Sequence, residues 1–178
     1  MKLPVARILS VFVLIATLSF LPALSHAQAS TPQAQDAEVT FYSNGSLRSL
    51  LMPDAKHAAF GGYIYDGQTR LFTTWHDRFV TLHFPPGVHV FSASYSHRHP
   101  AKNSQLSLNL LAGQSYFIRV EAEFKGAIIL ESQKGRLDVV SCQIAHRDAG
   151  QDKPVPTKHI APDARPEVVP LTFMPPCK

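Results

Sequence analysis

From Glu38 onward apolar and polar positions alternate in short runs, and Gly or Pro breaks the alternation about every ten residues. Period-two alternation is how a half-buried strand reads, and regular breaks mark turns, so the pattern predicts an antiparallel β-sandwich or barrel. Strands are expected near 38–43, 59–66, 69–75, 78–84, 88–96, 105–111, 115–124, 127–131 and 135–140. The turns between them are explicit. Asp66-Gly67, Pro85-Pro86-Gly87, Ala112-Gly113-Gln114 and Lys125-Gly126 supply glycines that accept positive φ and prolines that cannot donate to a ladder. Gly61-Gly62 precedes no helix, which excludes a phosphate loop and predicts a bulge or a close approach of strands.

The clearest strand is SYFIRVEAEF. Tyr116, Ile118, Val120, Ala122 and Phe124 share one face, expected to be buried, while Phe117, Arg119, Glu121 and Glu123 share the other, with Arg119 and Glu121 expected to be wetter. Leu106, Leu108 and Leu110 also repeat every second residue, which suggests the preceding strand as its partner. One short helix is expected from about Ser141 to Ala149, with Gly150 as its C-cap. Beyond it, prolines at 154, 156, 162, 166, 170, 175 and 176 rule out a helix or a central strand and predict an extended tail pinned at Cys177. The fold class is therefore all-β: an antiparallel sandwich of immunoglobulin or transthyretin type, one short C-terminal helix and a Pro-rich tail.

The N-terminal segment has a different texture. Lys2 and Arg7 precede an apolar run, and SHAQA follows with small residues at the spacing a signal peptidase accepts. Residues 1–29 read as a signal peptide, 30–37 as a disordered leader, 38–150 as the sandwich domain and 151–178 as the tail. The expected product is exported, to the periplasm or beyond the cell, with no stable membrane insertion after cleavage. Removal of the signal leaves about 149 residues, enough for one core, with a net charge of +2. So small a surplus, with no Lys/Arg run, gives no footprint for nucleic acid. Cys142 and Cys177 are the only cysteines, and an oxidising compartment predicts a disulfide between them.

The candidate chemistry centres on histidine. HFPPGVHVFSASYSHRHP holds four of the nine histidines. A tight hairpin about Pro85-Pro86-Gly87 would set His83 opposite His89, Trp75 opposite His97 and His76 opposite Ser96. His76, Asp77, His97 and His99 would then meet at the open end, a ligand set that suits zinc or copper. No short-spaced ligand motif supports a metal, and a solvated loop explains these residues at less cost. Glu121 and Glu123 have a spacing that glycosidase carboxylates use, but beside Arg119 they read as a solvated polar face. There is no Gly-x-Ser-x-Gly elbow and no His-Glu-x-x-His. Cys142 with His146 one turn on is a weaker reading than the disulfide. Trp75, Tyr63, Tyr65, Phe72 and Phe79 are either an aromatic platform for a glycan or peptide, or core filling.

The stretch FGGYIYDGQTRLFTTWHDRFVTLHFPPGVHVFSAS with LNLLAGQSYFIRVE resembles a family of exported bacterial domains of unknown function. The turn Pro86-Gly87-Val88-His89 is similar to that of PEGA-type surface modules, and Ala112-Gly113-Gln114-Ser115-Tyr116-Phe117 to the family's second turn and strand. The resemblance covers about residues 38–131 and implies a β-sandwich with no catalytic residue and no cofactor to carry over. The expected function is that of a non-catalytic envelope module, not an enzyme, that binds an envelope protein or glycan through a sheet edge or an aromatic face. The alternative is a small metal-binding or hydrolytic protein using His76, His97 and His99.

Overall fold

The computed structural model describes residues 35–43, 57–123, 134–162, 169 and 171–177. The expected signal peptide and the strand expected at 127–131 lie outside these. Strands β1 (Ala37–Ser43), β2 (His57–Ala59), β5 (Arg78–Phe84), β8 (Ser115–Glu123), β9 (Lys134–Val140) and β10 (Lys153–Pro154) form one sheet. Strands β3 (Tyr63–Asp66), β4 (Thr69–Thr73), β6 (Gly87–Ser94) and β7 (Gln105–Leu110) form the other, in the order β4-β3-β6-β7. The expected all-β sandwich is present. The expected strand at 59–66 is two strands, divided at Gly62, where a Cβ would lie 2.7 Å from the Ser94 carbonyl oxygen.

Alternation dictates the core between the sheets. Val39, Phe41, Leu82, Phe84, Ile118 and Val120 from the first sheet meet Ile64, Phe72, Phe91 and Leu110 from the second. Phe41 is the hub, with ring centroids 5.4 Å from Phe72 and 5.2 Å from Phe91 in edge-to-face contact. Where β9 crosses β6 the backbones approach closely. A Cβ on Gly135 would stand 2.4 Å from that of Ala93.

Two expected pairings are corrected. The strand before Pro85-Pro86-Gly87 pairs with β1, and the strand after it pairs with β3 and β7. The turn is a crossing from one sheet to the other, not a hairpin. Stacked sheets lie about 10 Å apart, a gap that two donor-less, extended prolines span without losing ladder bonds. Gly87, at φ 138°, then enters the second sheet. The same holds at Gly113, φ 70°: β7 stays with β6, while β8 lies parallel to β1 and antiparallel to β9. Asp66-Gly67, by contrast, is the expected hairpin turn between β3 and β4, with Gly67 at φ 55°.

The outer face of the first sheet is covered as well. Helix α1 (Cys142–Ala149) is capped by Ser141, whose Oγ accepts from the Ile144 amide at 3.3 Å. It ends at Gly150, where a Cβ would meet the His146 carbonyl oxygen at 2.5 Å. Small residues Ala145 and Ala149 let α1 lie close against Tyr42, Phe79 and Phe117, and Met174 of the tail completes this second cluster. The expectation that Glu121 is wet is therefore corrected. It is 9% exposed, on the face that α1 packs against, and it pairs with Arg119, which also reaches Asp148 of α1.

Candidate functional site

The Pro-rich tail closes the seam between the two sheets, and in doing so it builds a cleft. The amides of Lys153 and Val155 donate to the carbonyls of Asp77 and Phe79, which covers the free edge of β5. Farther on, Ile160 bridges to Phe72 and the Ala161 amide donates to the Leu71 carbonyl on β4, the edge of the other sheet. Between these two anchorages the chain makes a 3-10 turn, Thr157–His159. Opposite it, the β4–β5 connection turns tightly through Asp77, at φ 53°. The resulting cleft, about 350 Å³, is lined by Thr73, Thr74, Trp75, Arg78, Val155, Pro156, Lys158 and His159. Its exposed wall is chiefly apolar.

Trp75 dominates one side and is 59% exposed. Of the aromatic residues considered for a platform, Tyr65, Phe72 and Phe79 are buried in the body of the fold. Tyr63 lies under Arg70, whose guanidinium carbon is 5.7 Å from the ring. Trp75 is the one of the five offered to solvent beside a concavity. Three basic side chains surround it. Arg78 donates to the Pro154 carbonyl at 3.3 Å, and Lys158 and His159 have no acidic partner among the described residues. Behind Arg78 stands Asp152, whose carboxyl is pushed up to about 7 by burial and by the charge of Asp77, with Arg78 pulling the other way. Its Oδ2 makes no hydrogen bond.

The expected histidine set is not assembled. His83 faces Glu38 on β1 at 3.6 Å. His89 faces Asp66 at 2.7 Å, and its Nε2 is 2.9 Å from the Pro85 carbonyl. The two were expected side by side, but they belong to different sheets. The register expected to bring His76 and Asp77 to His97 and His99 depended on the same pairing. His76 stacks near Trp75 in the β4–β5 turn, with centroids 5.7 Å apart. His97 lies 6.2 Å from the Tyr63 ring in the β6–β7 loop, and the His99 carbonyl accepts from Ser94 Oγ at 2.8 Å. Among the described residues, the metal-ligand atoms that converge are those of Cys142, His146 and Cys177, within 4.8 Å of one another. Cys142 and Cys177 form the expected disulfide, so their sulfurs carry no thiolate charge for a metal. His146 Nε2 lies 2.6 Å from the Pro175 carbonyl and holds the tail there.

The carboxylates on the outer face have structural partners. Arg119 lies 3.1 Å from Glu121, 3.6 Å from Asp138 and 3.6 Å from Asp148, and Glu123 pairs with Lys134 at 3.0 Å. Tyr42 donates to Asp148 at 3.5 Å, and burial together with that carboxylate raises its phenol far above the ordinary range. This network ties α1 to the sheet. It leaves no carboxylate pair open to a substrate.

Arg78, Lys158 and His159 were not singled out from the sequence. Some eighty residues separate Arg78 from Lys158, and only the tail's two anchorages bring them together. The usable signal was the spacing of prolines, which foretold an extended tail pinned at Cys177 but not the sheet edges it covers. The chain matches no protein-family model, no curated protein and no solved structure. Among the described residues, no helix is long and apolar enough to cross a membrane.

Proposed function

We propose that the chain is an exported, non-catalytic module of the bacterial cell envelope that binds another envelope component through the cleft beside Trp75. The observation that carries this reading is the placement of Trp75. A large aromatic side chain left 59% exposed on the rim of a concave, mainly apolar cleft forgoes the free energy of burial that binding would recover. Of the five aromatic residues weighed as a platform, Tyr65, Phe72 and Phe79 are buried, and Trp75 is exposed beside the cleft.

Export is supported by the N-terminal pattern and by the Cys142–Cys177 bridge, which persists where thiols are oxidised. N-terminal sequencing of protein recovered from expressing cells should begin at Gln28 or Ser30. A non-catalytic role is supported by the dispersal of the histidines and by the ion pairs that occupy the outer carboxylates.

Site-specific crosslinking tests the binding reading. A photoreactive amino acid at position 75, activated in intact cells, should give a discrete adduct with an envelope component. The same group at Val88, 70% exposed on the second sheet, should not. Equal labelling from both positions, or none from 75, would overturn the proposal.

A further inference from the structure

We propose that the cleft takes a saccharide bearing a carboxylate or phosphate, its ring against the Trp75 indole and its anion held by Arg78 and Lys158. This rests on the reading that the cleft is a binding site, and it specifies the chemistry of the ligand.

Charge supports it first. Basic side chains on the outer face of the first sheet are already neutralised: Arg119, Lys134, Arg136 and Arg147 all stand within 3.1 Å of a carboxylate oxygen. The cleft has the opposite balance. Arg78 lies within no ion-pair distance of an acid among the described residues, and it bonds the Pro154 carbonyl. Lys158 and His159 project from the 3-10 turn, exposed and without acidic partners there. Asp77 and Asp152 offset part of the Arg78 charge from behind, so the surplus falls on the Lys158 side. An anion entering here exchanges water for a guanidinium fork and an ammonium, the donors suited to carboxylate and phosphate.

Shape narrows the class. About 350 Å³ is at the small end of small-molecule sites, which run from roughly 300 to 1,000 Å³. It holds a few rings, not a protein surface. A flat indole face beside Val155 and Pro156 suits the apolar face of a sugar ring, with Thr73 at the wall to offer a hydroxyl. An acyl chain would find no guanidinium useful. A nucleic-acid backbone would need a broader basic surface than the small net charge supplies.

The test is fluorescence titration of the protein purified from expressing cells, since Trp75 is its only tryptophan. Tri-galacturonate and mannose 6-phosphate represent the two anion sources. At least one should give a saturable change in emission that weakens as salt rises. Neutral galactotriose should bind at least about ten-fold more weakly, and inorganic phosphate alone should leave the emission unchanged. Arg78→Gln and Lys158→Gln should each weaken the acidic ligand about ten-fold. The melting temperature of Lys158→Gln should stay that of the unmodified protein, which separates lost binding from lost folding. Equal binding of the neutral trisaccharide, a full response to phosphate alone, or silence toward both acidic probes would overturn the inference. If position 75 crosslinks in cells while both acidic sugars are silent, the binding module stands and the acidic-saccharide assignment falls.

Discussion

His89 Nδ1 stands 2.7 Å from Asp66 Oδ2, and the pair joins the start of β6 to the tip of the β3–β4 hairpin. The imidazole is also packed among aromatic rings, 5.2 Å from Phe84 and 5.8 Å from Phe91. Asp66 Oδ1 accepts from the Val90 amide at 3.3 Å, so one carboxylate serves both strands. His89→Ala removes packing and a charge-assisted bond together, and should cost about 2–3 kcal/mol in denaturant titration. Asp66→Asn keeps the shape and should cost about 1 kcal/mol. A loss below about 0.5 kcal/mol for His89→Ala would mean that the contact is incidental.

Arg119 is the cation that reaches all three of Glu121, Asp138 and Asp148, while Arg136 pairs with Asp138 alone and Arg147 with Asp148 alone. Its removal would take away the charge that these three carboxylates share and leave Asp138 and Asp148 only their separate partners Arg136 and Arg147. Arg119→Met should therefore destabilise by about 2–3 kcal/mol at pH 7, and acid should relieve part of that loss as the carboxylates protonate. Glu121→Gln should cost less, because two acids remain for the guanidinium. If the two substitutions have equal effects at pH 7, Arg119 is not the keystone of this face.

The Cys142–Cys177 bridge spans 35 residues and fixes the end of the tail beside α1. Reduction should lower stability by about 3–4 kcal/mol in the chain-entropy description. The loss should be local first. Val169 and Leu171, whose amides donate to the carbonyls of Thr81 and Val169, should exchange faster. Val155 and Ala161 have their own anchorages on β5 and β4, so the cleft should survive. Equal acceleration at all four amides would show that the disulfide holds the whole tail.

Asp152 gives a pH signature with a definite sign. Its carboxyl, at about 7 in the fold, lies above the 3.8 of a free side chain, so the folded state holds the proton more tightly. Its contribution to stability is full below about pH 4 and is lost as pH rises through 7. Asp152→Asn should match the unmodified protein near pH 4 and be more stable at pH 8, by about 1 kcal/mol after allowance for solvent screening. A difference that does not change with pH would place the effect in packing rather than in ionisation.

How far the sequence was legible follows from what alternation encodes. It says which face a residue takes, so the strands, the Asp66-Gly67 hairpin and the buried set of Ile118 and Val120 were readable. It does not say which strand lies alongside. Pro85-Pro86-Gly87 looks the same whether the chain folds back in one sheet or crosses to the other, and the expected histidine pairs depended on that choice. Glu121 reads as a surface residue because nothing in its own strand shows that it will be 9% exposed beside Arg119, which reaches on to Asp148 of α1. The disulfide was readable because two cysteines allow one pairing. The cleft was not, since its basic rim comes from β5 and from a tail that is extended only because its prolines forbid anything else.

Acrylamide quenching of the single tryptophan gives the most direct test of a binding face at Trp75. In the purified protein the indole should be readily quenched, as its 59% exposure requires. Addition of a solubilised envelope fraction, with nonfluorescent components chosen to keep the signal clean, should reduce the quenching constant at least two-fold and saturably. In a Trp75→Phe, Val88→Trp double variant the reporter moves to the second sheet, and the same addition should leave its quenching unchanged. Protection at position 75 and not at 88 is the expected result. An indole that stays equally quenchable in the presence of the envelope fraction, or protection at both positions alike, would contradict a dedicated binding face.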